Sequence, residues 1–403
     1  MPATNNLLIQ NAQLRTQPPR ELVAIRILDG RIEEISPMIK AKSETVLDAE
    51  SNLVSESFVN PHLHLDKVYT LDRLDELAMR AYQAGDMGAA MNAIELASRV
   101  KLEYDEAWIL PNVRKALGLA LNNGNTHIRA FADVDSKAKL VGVKALIKAR
   151  EEFAGKVDLQ VVAFAQDGIL REPGAEDLLR ESMQLGADVV GGIPWIEFTD
   201  ADAQRHVDII FDIAKEFDKP VSMLVDDAGD PGLRTLEMMA VRAIKSGWQG
   251  RSLAHHARAM ALYPKPYLQK VVALLKQAEM AVVTDPQTGP LHARVKELLE
   301  DGVLVCLGQD DISDAYYPYG QNNMLEVAFL ASHLLWMTST AEMDLLFDMI
   351  TTSAAKAIGL NAFAIQPGAV ANLLVHDVST IREALRYHRT PKFVISHGSL
   401  IGR

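Results

Sequence analysis

Through the middle of the chain, short apolar runs alternate with longer stretches whose apolar residues recur at helical spacing. The strand-type runs are Glu56 to Leu63, Thr126 to Asp133, Asp158 to Ala165, Asp188 to Gly192, Val221 to Asp226, Arg251 to His255, Met280 to Asp285 and Val303 to Gln309. Runs of this kind suit parallel strands buried on both faces. Eight βα units within about 300 residues predict an α/β fold of the (β/α)8 TIM-barrel type, with its chemistry at the C-terminal ends of the strands. A doubly wound sheet is the alternative. The flanks read differently. Leu7 to Ala12, the pair Ala24 to Leu28 and Arg31 to Ile35 around Asp29-Gly30, then Ala371 to Val375 and Lys392 to Gly398, are strand-and-turn sequence.

The expected strand ends carry the candidate chemistry. The first ends in Pro61-His62-Leu63-His64-Leu65-Asp66-Lys67. Alternate residues of a strand share a face, so His62 and His64 can point together into the barrel mouth and supply half of a Zn²⁺ or Fe²⁺ site. The last strand ends Gly308-Gln309-Asp310-Asp311. Asp310 there can ligate a metal and accept a proton, while Asp311 suits a helix N-cap or a substrate contact. The sixth ends in His255-His256, where strand alternation turns one of the two away from the lumen. The third ends in Gln166, whose amide both donates and accepts, as a cyclic amide or amidine would require.

Charge and composition narrow the class. The net charge is -12 with no basic cluster, which argues against nucleic acid and against an anionic membrane surface. The single cysteine, Cys306, lies in an apolar run and excludes an intrachain disulfide scaffold. No basic leader precedes an apolar run at the N-terminus and no long uninterrupted apolar stretch occurs, so a cytoplasmic location is expected.

Taken together, these motifs resemble the amidohydrolase superfamily, in the manner of its cytosine deaminase and N-isopropylammelide isopropylaminohydrolase members. The resemblance runs from about residue 50 to residue 360 through His62 to Asp66, Val161 to Ile169, Gly186 to Pro194, Gly308 to Asp311 and Tyr317 to Gly320. It implies a barrel over residues 56–363, a small β-sandwich built from residues 1–55 and 364–403, and one divalent metal ion, Zn²⁺ or Fe²⁺. Carried over by position, His62, His64 and Asp310 are the metal ligands, and His256, Asp310 and Asp227 the catalytic groups. Gln166, Leu224, Asp226, Phe131 and Asp311 are the expected substrate contacts. Lys67 resembles the aminohydrolase pattern more than the deaminase one.

The departures are as specific as the matches. Leu224 stands where the family has a metal-ligating histidine, Phe131 where the second strand usually ends in one, and Gln309 before the last aspartate. Asp227 is one methylene shorter than the family's glutamate. Three ligands plus water remain a recognised catalytic set, unless Asp226 or a neighbour moves in. The expected activity is metal-dependent hydrolysis of a C–N bond in a small cyclic or heterocyclic compound, by deamination or by amide or amine hydrolysis. The expected partners are that small molecule and further copies of the chain. A metal-depleted barrel that only binds, or a lyase or metal-free hydrolase on the same scaffold, are the competing expectations.

Overall fold

A computed structural model describes residues 6–73, 94–95 and 97–402. Eight parallel strands form the central sheet: β6 (Phe58–His64), β7 (Asn125–Asp133), β8 (Asp158–Ala165), β9 (Val189–Gly192), β10 (Val221–Val225), β11 (Ser252–His256), β12 (Ala281–Thr284) and β13 (Val305–Leu307). They pair in chain order, each with the next, and every strand from β7 to β13 follows a helical crossover. Their side chains are buried almost throughout, which is why each run reads as apolar on both faces.

The first and last strands meet where the chemistry lies. His64 N–H donates to the Asp310 carbonyl at 2.8 Å, and Asp310 N–H to the His62 carbonyl at 3.0 Å. This bridge brings the sheet round into a nearly closed barrel. It needs a close backbone approach. A Cβ at Gly308 would stand 2.7 Å from the Cβ of His62, so glycine is required there. Asn60 locks the seam, its side-chain oxygen accepting from His62 N–H and Gln309 N–H at 3.2 Å each.

A second sheet comes from both termini: β1 (Leu7–Leu14), β2 (Val23–Leu28), β3 (Arg31–Ser36), β4 (Thr45–Asp48), β5 (Leu53–Glu56), β14 (Leu373–Val375), β15 (Phe393–Ser396) and β16 (Ser399–Ile401). A bulge after Ile9 splits β1, so its first half pairs with β2 and β4 and its end with β5. Both wings therefore cover one core of Ile9, Ile25, Ile27, Val54, Leu373 and Ile395. A helix over Met324–Leu334 packs against the barrel. Among the described residues no helix is long and apolar enough to cross a membrane.

Candidate active site

The imidazoles of β6 and β11 and the carboxylates that follow β10, β12 and β13 converge at the barrel mouth. His62 Nε2 lies 2.9 Å from Asp310 Oδ1, His64 Nε2 3.8 Å and His256 Nε2 4.0 Å from the same oxygen. His62, His64, His256 and Asp310 are all buried. Ligand-capable atoms of His62, His256 and Asp310 fall within 4.8 Å of one another, as do those of His64, Asp310 and Asp311. Asp310 belongs to both groups.

Strand alternation would have turned one of His255 and His256 outward, and the structure corrects this. His256 has φ 67° and the following Ala257 φ 49°. That left-handed turn interrupts the alternation, so both imidazoles reach His62, with ring centroids 4.5 Å and 4.9 Å away. His255 sits below the mouth with its Nδ1 2.6 Å from His62 Nδ1. Burial drives His62, His64 and His255 well below the usual imidazole range, so all three are neutral and carry lone pairs. His256 is the exception. Burial opposes its charge, but Asp227, Asp285 and Asp310 outweigh it and hold the ring up at about 9.

Asp285, at the end of β12, accepts from His256 Nδ1 at 2.8 Å and fixes the ring with Nε2 facing Asp227 (3.9 Å) and Asp310. Arg258 completes the cluster. Its Nε donates to Asp227 at 2.6 Å and a terminal nitrogen to Asp285 at 3.2 Å and Thr288 at 2.8 Å. A side chain at Gly289 would overlap this guanidinium. Neither Arg258 nor Asp285 was anticipated. Their only signals were a charge two residues after the histidine pair and an aspartate ending an apolar run.

The other expected residues fall into three placements. Gln166, Leu224, Asp227 and Asp311 line the cavity beside His64, His256 and Asp310, together with Ile193, Trp195, Arg258 and Tyr316. Phe131 is fully buried beneath, in ring contact with His62, His64, Phe164 and His255. Asp226 is turned away, its carboxylate accepting from Thr235 N–H and Oγ at 2.6 and 2.7 Å and from the Tyr263 hydroxyl. Gln309 faces the loop, where its Oε1 accepts from Asn322 N–H at 3.1 Å. Lys67 donates to both Asp133 oxygens at 3.0 Å and to Gln166 at 3.2 Å, which orients the glutamine carbonyl away from the cavity and leaves its amide NH₂ as the available group.

The donor set fits a divalent cation. His64 Nδ1 and Asp311 Oδ1 are buried without a hydrogen-bond partner. Burial together with Asp285 pushes the Asp310 carboxyl well above the usual range, and burial with Asp310 and Asp314 does the same to Asp311. A site of neutral imidazoles and crowded carboxyls gains most from positive charge. Zn²⁺ bonds of about 2.0–2.1 Å place tetrahedral donors roughly 3.3–3.4 Å apart, and the distances to Asp310 bracket that figure.

Comparison with known proteins decides the family. The amidohydrolase family model matches residues 45–401. The chain belongs to the amidohydrolase family. It is 30% identical over 399 residues to N-isopropylammelide isopropyl amidohydrolase of Pseudomonas sp. (strain ADP), covering 98% of this chain and 97% of that one. It is 29% identical to the 5-methylcytosine deaminase of Klebsiella pneumoniae, solved with 5-fluorocytosine, at a TM-score of 0.89 over 98% of this chain and 97% of that one. N-isopropylammelide isopropylaminohydrolase from Burkholderia multivorans superposes at a TM-score of 0.87 with 25% identity, over 99% and 98%. As a member of this family the chain is a hydrolase of carbon–nitrogen bonds other than peptide bonds.

Proposed function

We propose that the protein hydrolyses a C–N bond of a small cyclic amidine or amide, with one divalent ion, Zn²⁺ or Fe²⁺, held by His62, His64 and Asp310. The observation that carries this reading is the convergence of His62, His64 and His256 on one Asp310 oxygen, at 2.9–4.0 Å. Such an ion supplies an acidified water and polarises the substrate. The chain's own groups do the rest. Asp310 takes the proton from the attacking water, and His256, held by Asp285 and facing Asp310, stabilises the charge that develops. Asp227 delivers a proton to the leaving nitrogen, with Arg258 fixing its carboxylate. The Gln166 amide orients the substrate ring, and Leu224, Ile193 and Trp195 form an apolar wall that favours a ring or alkyl edge.

Deamination and amide or amine hydrolysis both pass through a tetrahedral adduct, so the same residues serve either. The reading places the enzyme in the cytoplasm as a homo-oligomer acting on a small molecule. Its test is metal content by mass spectrometry, followed by screening cyclic amidines, amides and triazines for ammonia or amine release. About one ion per chain, lost in His62→Ala, is expected. A folded, fully active protein with no metal after chelation overturns the reading.

A further inference from the structure

Leu224 stands where the family resemblance implies a metal-ligating histidine. It lines the cavity from β10, the fifth barrel strand, and an aliphatic side chain offers no lone pair. Its neighbours do not make good the loss. Asp226 is bonded to Thr235 and Tyr263 on the far side of the strand, and Asp227 is paired with Arg258. His256 is enclosed by Asp227, Asp285 and Asp310, which suits it to carry a proton rather than to donate a lone pair.

The end of β13 supplies what β10 lacks. Asp310 has φ 69°, a left-handed turn that lets two consecutive carboxylates face the cavity where an extended strand would present one. Asp311 is only 2% exposed; its Oδ1 meets no N–H or hydroxyl donor, and its carboxyl is crowded by those of Asp310 and Asp314. Its carboxylate, one nitrogen of His64 and an oxygen of Asp310 lie within 4.8 Å of one another. His64 Nδ1 is likewise buried and unpartnered. Leaving buried polar atoms unsatisfied is destabilising, and a bound cation removes that cost for the atoms that ligate it.

We propose that Asp311 takes the ligand place Leu224 vacates, so that the ion is held by His62, His64, Asp310 and Asp311. This rests on the metal-dependent reading above. It reassigns Asp311 from substrate contact to ligand, and it leaves the Leu224 side of the ion open to the substrate. Two imidazoles and two carboxylates make a harder donor set than three imidazoles and one carboxylate, and so narrow the preference for Zn²⁺ over Mn²⁺.

The test uses the full chain stripped with a chelator and titrated with Co²⁺, followed by visible absorption, with Zn²⁺ content read separately by mass spectrometry. Asp311→Asn keeps the shape of the side chain and removes its charge. Binding should weaken by more than the roughly ten- to hundredfold that loss of an outer-shell contact costs. Asp226→Asn is the control. Asp226 is as deeply buried, but its carboxylate is taken up by Thr235 and Tyr263, so binding should change by less than tenfold. Asp311→Asn/Leu224→His should recover most of the lost affinity, because an imidazole then occupies the vacant place. Circular dichroism checks the fold of each variant. Should Asp311→Asn not fold, Leu224→His alone decides. It should change affinity by less than tenfold if four ligands already hold the ion, and a larger gain overturns the proposal. A folded Asp311→Asn that binds Co²⁺ as tightly as the parent overturns it too, while leaving the metal reading intact. A parent protein that takes up neither Co²⁺ nor Zn²⁺ brings down both.

Discussion

The two ends of the barrel bury charge in opposite ways. At the floor, Arg129 of β7 is 2% exposed and forms no ion pair with a carboxylate among the described residues. Each of its three nitrogens is nonetheless bonded, Nε to Gln160 at 2.9 Å and the terminal pair to Ser222 Oγ and the Ile358 carbonyl at 3.1 Å. An apolar plug of Val59, Leu253, Ala281, Val283, Cys306 and Ile358 surrounds that end. The mouth is the reverse. Carboxylates crowd one another there, and unpartnered nitrogens and oxygens point inward. A buried polar group whose bonds are all made holds a structure together, whereas one left unmade beside a cavity is available to a ligand. The floor thus holds one fully bonded charge, and the mouth a cluster of charged groups with bonds left unmade.

The largest effect should come from breaking the mouth. Asp310→Ala and His256→Ala should each lower kcat by between about a hundredfold and ten-thousandfold, the scale of a lost acid–base group, with near-unchanged thermal melting because both stand at strand ends. Near-normal turnover in His256→Ala would remove that residue from the mechanism. Steady-state ammonia or amine release, read beside a melting curve, separates the two quantities.

The floor should respond the other way. Arg129→Met leaves Gln160 Oε1 and Ser222 Oγ without their donor and the Ile358 carbonyl with only the Gln160 amide, and should cost about 2–4 kcal/mol of stability by denaturant titration. Activity per folded molecule should stay within about twofold. A large fall in kcat with unchanged stability would show that the two ends are not separate in function.

A smaller effect probes the junction between barrel and terminal sheet. His376 follows β14, and its Nε2 lies 2.9 Å from Ser55 Oγ on β5. Burial holds the ring down at about 4, below the 6.5 of an exposed imidazole. The folded state thus favours the neutral ring. Its contribution is fully present above about 6.5 and is lost as the pH falls toward 4, because the unfolded chain takes up the proton first. Between pH 7 and pH 5 the loss should be about 2 kcal/mol. His376→Gln should flatten the acid limb of the stability curve over that window while leaving the metal content of the mouth unchanged. An identical acid limb in the variant would place the titration elsewhere.

The strands, the His62–His64 pair and Asp310 were legible in the linear chain because each depends on local pattern. A parallel strand buried on both faces must be apolar along its length, and residues two apart on it must share a face. Expected and observed limits accordingly agree within two residues for every barrel strand, as for Asp158–Ala165, and the last, which pairs only over Val305–Leu307, is shorter by two at both ends. The apolar run there continues past the hydrogen-bonded ladder, and run length alone does not say where pairing stops.

What the chain could not show by itself is which groups face one another. The seam between β6 and β13 sets Asp310 against His62 and His64 across nearly 250 residues of sequence (|i−j| = 248), and no local pattern encodes that meeting. The left-handed turns at His256 and Asp310 overrode the two-residue rule that would have sent one of each adjacent pair outward. The Arg258 clamp on Asp227 and Asp285 forms because three successive loops close over the same barrel end. Sequence determined which side chains stand at the strand ends. Tertiary closure decided which of them remain unsatisfied, because satisfaction depends on distance in space, and that is what distinguishes a site from a core.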